Sequence, residues 1–92
     1  MRIEWSAHAV SDLKQISEHI EADRSLETAN RVSRTIYDTI QSLMSMPNRG
    51  RPGRIENTRE LIVQRLPYVI VYRVFSDRVR VLNIVHGAQR WP

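Results

Sequence analysis

The sequence predicts an α+β domain in which a helical hairpin packs on a mainly antiparallel four-stranded sheet, in the order β-α-α-β-β-β. Three observations predict it. Apolar residues recur twice at helical spacing, first over residues 9–20 and then over 29–43. Three strand-like apolar runs follow residue 60, separated only by Leu66-Pro67 and Ser76-Asp77. A short alternating stretch, "RIEW" at 2–5, precedes the first helix as a strand would.

Each element has a local cause. Ser6 suits an N-cap, and Ala9, Leu13, Ile16 and Ile20 then fall on one helical face. "EADRS" interrupts that pattern. Ser25 caps a second helix, with Glu27 in the first turn and a stripe of Ala29, Val32, Ile36, Ile40 and Leu43. This helix must end before Pro47. So short a link implies an antiparallel hairpin. "PNRGRPGRIENTRE" (47–60) has two prolines, two glycines, four arginines and no period, so it reads as a long loop. "ELIVQR" (60–65), "YVIVYRVF" (68–75) and "RVRVLNIVH" (78–86) then form an antiparallel meander.

Strict alternation sorts the faces. In the last strand Val79, Val81 and Val85 share one side, and Arg78, Arg80, Leu82, Ile84 and His86 the other. The central strand is apolar on both sides, although two helices are expected to cover only one. The second face is therefore either a protein-binding surface rimmed by arginine or is covered by the long loop. Arg73, in this apolar strand, is expected to pair with a carboxylate such as Glu60.

Composition narrows the function. The 92 residues suit a single domain, 1–92, and the absence of cysteine excludes disulfides and thiolate metal sites. No apolar run approaches the length of a membrane span or a signal peptide, so a soluble, cytoplasmic protein is expected. No cofactor or metal motif stands out: His8 and His19 lie eleven apart in the first helix, and they and Trp5 read as structural. "GRPGR" (50–54) lacks the ending and the preceding strand of a phosphate loop. Thirteen of the fourteen basic residues are arginine. Residues 1–48 hold five basic and seven acidic groups, net −2, whereas residues 49–92 hold nine basic and three acidic groups, net +6. A basic half on a near-neutral scaffold points to a polyanionic partner.

Four phrases carry a family resemblance: "W-S-x-x-A-x-x-D-L" at 5–13, "G-R-P-G-R-x-x-x-T-R-E-L" at 50–61, "Y-x-I-V-Y-R-V" at 68–74 and "H-G-A-Q-R-W-P" at 86–92. In this order they resemble the RelE/ParE superfamily of bacterial toxins over essentially the whole chain. The resemblance implies the βααβββ fold, a cytoplasmic toxin of a type II toxin–antitoxin pair, and a cognate antitoxin whose acidic or amphipathic C-terminal segment wraps the toxin in a hetero-oligomer. RelE-type members cut mRNA on the ribosome, the mechanism that the arginine cluster and His86 put first. The alternative is ParE-type inhibition of DNA gyrase without nuclease activity. A third reading is a non-toxic module that keeps only antitoxin binding.

Cleavage by 2′-oxygen attack needs a base, an acid and cations around the phosphate. The candidate catalytic residues are His86, Arg54, Arg59, Arg65 and Arg90. Arg49, Arg51, Arg73, Gln89 and Trp91 are candidate target contacts, with Trp91 or Tyr68 able to stack on a base. Arginine cannot act as a base, so proton removal falls to His86 or Glu60. The chain departs from RelE-type sites in three places, one being that no tyrosine follows the last strand. It also has loop arginines where RelE has paired lysines, and Gln89 where RelE has a catalytic arginine. Gly87 is expected to let the chain turn so that Gln89, Arg90 and Trp91 lie near His86.

Overall fold

The structure is a computed structural model and describes residues 1–88 and Trp91. Strand β1 is Arg2–Trp5, helix α1 Ala7–Asp23 and helix α2 Leu26–Gln41, followed by a 3-10 turn at Ser42–Met44. Strands β2 (Arg51–Pro52), β3 (Arg59–Ile62), β4 (Tyr68–Val74) and β5 (Arg78–His86) complete the regular structure of the described residues. Both helix starts form as their caps predict: Ser6 Oγ accepts the N–H of Ala9, and Ser25 Oγ that of Thr28. Among the described residues no helix is long and apolar enough to cross a membrane.

Among the described residues the sheet has five strands, not four, in the order β1-β5-β4-β3-β2. The additional strand is the two-residue β2, hidden in the segment read as loop. It pairs with β3 through Arg51↔Glu60 and Pro52↔Arg59, and its proline is tolerated because it lies on the sheet edge. β1 joins β5 in parallel, and the remaining pairs are antiparallel.

A few hydrogen bonds hold the 47–60 segment in place. The Gly50 N–H donates to the Tyr72 hydroxyl, which donates to the Pro47 carbonyl, both at 2.8 Å. A Cβ on Gly50 would lie 2.8 Å from that hydroxyl, so only glycine fits. Burial raises the Tyr72 pKa, which keeps the hydroxyl protonated as this bridge requires. Gly53 donates to the Thr58 carbonyl at 2.8 Å and closes the tip.

Strict alternation fails in β5. A bulge opposite Val71 and Tyr72 leaves Leu82 outside the ladder, so Tyr72 pairs with Val81 but Val71 with Asn83. Val79 and Val81 face the helices, and beyond the bulge Ile84 and His86 join them, while Val85 turns to the opposite face beside Val69. The placement of Val85 with Val79 and Val81 is thereby corrected: one extra residue inverts the sides. The core closes between helix residues Ala9, Ile36 and Ile40 and sheet residues Ile70, Tyr72 and Ile84.

The bulge explains the phrase at 5–13. Ser6 donates its N–H to the Val81 carbonyl and its hydroxyl to the Leu82 carbonyl. Asp12 accepts from the Ile84 N–H and from the Asn83 amide. Ala9 lies between them, fully buried. Ser6 and Asp12, at the start of α1, thus satisfy backbone groups on either side of the bulge.

Candidate functional site

The sheet face turned from the helices is neither bare nor fully covered. Val71 and Val85 on it are buried, while Ile62 is 54% exposed. At the end of this face lies a cleft of about 210 Å³, walled by Arg51, Arg54, Glu60, Val69, His86 and Trp91 among others.

Glu60 organises one wall. Its side chain is 2% exposed. Arg51 donates to Oε1 at 3.2 Å, and the backbone N–H of Arg54 donates to Oε2 at 2.9 Å. Burial alone would raise its pKa, but the Arg54 N–H and Arg51 outweigh burial and hold the carboxyl below its ordinary value. Arg73 is not its partner, contrary to expectation. The Arg73 guanidinium lies instead over the ring of Phe75, two residues further along the chain, 4.9 Å from its centroid.

His86 closes the opposite wall. It is exposed, and its Nδ1 accepts the Ala88 N–H at 3.0 Å. The Tyr68 ring meets it edge-on at 5.6 Å. Burial raises the Tyr68 pKa. Gly87 donates to the Pro67 carbonyl at 2.6 Å, and this bond directs the chain after β5. Its φ is not positive, so the turn does not draw on glycine's left-handed freedom as expected. The chain returns at Trp91, whose carbonyl accepts from Arg54 Nη1 at 2.6 Å.

The structure therefore gathers His86, Arg51, Arg54 and Trp91 at one cleft and disperses the other candidates. Arg59 Nη1 donates to the Gly50 carbonyl at 2.6 Å and more weakly to that of Asn48 at 3.4 Å, bracing the long segment. Arg49 donates to Ser42 Oγ at the end of α2. Arg65 occupies the β3–β4 turn with φ 65° and is exposed. Arg73 sits toward the far end of the face. Arg90 and Gln89 lie outside the described residues. Among the described residues no group of histidines and carboxylates could hold a metal.

A second surface escaped the sequence reading. Trp5 stacks on Tyr37 at 6.4 Å between ring centroids. Beside them Val10, Leu13 and Ser33 line a mainly apolar cleft between the helices. Val10 and Tyr37 are both exposed, and each lies just off the apolar stripe of its helix. That offset, rather than any motif, was the available signal.

A model of the ParE toxin of the type II toxin–antitoxin system, parDE, matches residues 3–91. A Sinorhizobium fredii protein named "Putative toxin Y4kP" is 41% identical over 91 residues, which cover 99% of this chain and 93% of that protein. Among solved structures, the chromosomal ParDE TA system from P. aeruginosa superposes with a TM-score of 0.89 at 26% identity, covering 94% of this chain and 95% of the other. The toxin–antitoxin complex RelBE2 from Mycobacterium tuberculosis shares the fold with a TM-score of 0.67 at 20% identity, over 96% and 92% of the two chains. With its length matched almost throughout, this chain belongs to the ParE toxin family of type II toxin–antitoxin systems, within the RelE/ParE superfamily.

Proposed function

We propose that this toxin arrests growth by inhibiting DNA gyrase rather than by cutting RNA. The observation that carries the reading is how the cleft uses its acid and its cations. Glu60, the one side-chain carboxylate among the described residues that line it, is buried and bonded to Arg51 and to the Arg54 backbone. Arg59 is turned away to the carbonyls of Gly50 and Asn48. A 2′-oxygen attack needs both a base and an acid, besides cations free to follow the phosphate charge. Here Glu60, Arg51 and Arg59 hold the protein's own loop. Membership of the ParE family supports the same order of mechanisms, which reverses the one that His86 and the arginine cluster recommend from sequence.

Ribosome-dependent mRNA cleavage is the second reading. It is favoured by His86, Tyr68 and Arg54 lining a single cleft. Purified toxin added to gyrase and relaxed plasmid separates the two, because the gyrase reading requires loss of supercoiling with accumulation of cleaved DNA. Induction without antitoxin that leaves growth untouched would contradict both and leave a binding module.

The partner in this reading is an antitoxin segment that is acidic and amphipathic. Two features support it: the apolar cleft beside Trp5 and Tyr37, and the arginine-rimmed sheet end where Ile62 is exposed. Arginine at the rim would steer an acidic segment and fix its register.

A further inference from the structure

The face turned from the helices carries a second feature at the end opposite the cleft. Register places Arg73, Arg80, Arg78 and Arg2 there, on three adjacent strands: Arg73 lies opposite Arg80, and Arg2 opposite Arg78. Like charges directly opposite one another weaken a sheet, and Glu4, opposite Arg80 in β1, offsets part of that cost. Two carboxylates share three of the four guanidiniums. Glu4 accepts from Arg80 and from Arg78, the latter at 3.4 Å. Asp77 accepts from Arg78 at 3.1 Å and pairs with Arg2 at 3.5 Å. Arg73 has no carboxylate partner among the described residues and is exposed. Its guanidinium lies over Phe75 at 4.9 Å, and that of Arg78 lies over the same ring at 4.2 Å.

We infer that this end of the sheet is a phosphate-backbone contact for duplex DNA. A guanidinium stacked on an aromatic ring keeps its donor edge in plane and outward, the geometry that grips a phosphate with two bonds. Neighbouring strands stand about 4.8 Å apart, so the exposed Arg73 fork sits beside three carboxylate-paired ones, and four guanidiniums against two carboxylates leave the surface net cationic. It matches a duplex, with about one charge per 1.7 Å of axis, better than a peptide. Single-stranded nucleic acid is disfavoured, because it needs open aromatic faces for unstacked bases. Phe75 already serves the arginines. The contact does not depend on the gyrase reading, although a toxin acting on a DNA-bound enzyme would have use for it.

Fluorescence anisotropy with a labelled 20-base-pair duplex, repeated from 50 to 200 mM salt, tests it with the full-length toxin. The wild type should bind with affinity that falls linearly on a log–log plot against salt. Arg73→Ala should lower the steepness of that line by about 1. Phe75→Leu should weaken binding severalfold at unchanged slope, since it removes the platform and no charge. Arg31→Ala, on the exposed face of α2, should change neither. No binding at 50 mM salt, equal effects of Arg73→Ala and Arg31→Ala, or tighter binding to unpaired RNA than to the duplex would overturn the inference. Supercoiling assays on the same proteins report separately on gyrase, so either idea can fail alone.

Discussion

The carboxylate of Asp12 accepts the backbone N–H of Ile84 at 2.9 Å, across a separation of 72 residues in sequence. That bond fastens α1 to the bulge in β5, and the bulge decides which side chains reach the cleft. With Leu82 taken into a regular ladder, Val85 rather than His86 would oppose Tyr68, and His86 would turn to the other face. Asp12→Ala leaves the Ile84 N–H without its acceptor, at an expected cost of about 1–3 kcal/mol. Urea denaturation measures it. Asp12→Asn keeps one acceptor oxygen and should lose less. A loss within ~0.5 kcal/mol for the alanine variant, the range of ordinary surface changes, would show that the bulge holds itself.

Glu60 makes stability depend on pH in a stated direction. Its folded pKa lies below the ordinary 4.5. The ionised carboxylate therefore contributes fully above about pH 4.5, and the contribution is lost as pH falls through the lower folded value. Glu60→Gln should cost about 1.5–3 kcal/mol at pH 7, the worth of hydrogen bonds to a charged group. Denaturation of both proteins between pH 7 and pH 3 should show the gap narrowing below pH 4.5. A gap independent of pH would mean that shape, not charge, holds the loop.

Arg65 lies in the left-handed region, with φ 65°, and is exposed. An L-residue there costs roughly 1–2 kcal/mol, against about 0.5–1 kcal/mol of extra chain entropy lost by glycine on folding. Arg65→Gly should therefore raise the melting temperature by a few degrees, since about 1 kcal/mol corresponds to 4–8 °C in a domain of this size. If toxicity falls while stability rises, the arginine is retained for a contact outside the chain. A lower melting temperature would show that its side chain stabilises the turn.

The helices and the meander were legible because their causes are local. Ser6 and Ser25 cap the helices that begin beside them, and the stripes through Leu13 and Ile36 need only helical periodicity. Strand β2 was not legible, since Arg51-Pro52 has no pattern of its own and is a strand only through β3. Val85 was misplaced because a bulge inverts alternation, and the groups that stabilise it, Ser6 and Asp12, lie in another element. At the site, the types of residue were readable but their partners were not. Nothing near Arg59 in sequence says that it braces Gly50, and only the sheet register brings Glu60 to Arg51. The Trp5–Tyr37 surface likewise exists only once α1 and α2 are side by side.

The proposed target is gyrase, with no RNA chemistry at the cleft. The most direct test of this claim is a supercoiling assay with purified toxin, gyrase and relaxed plasmid, run beside primer extension on translating ribosomes. Supercoiling should stop, cleaved plasmid should accumulate and the mRNA should stay intact. Undisturbed supercoiling together with new mRNA ends that disappear in His86→Ala would contradict the claim.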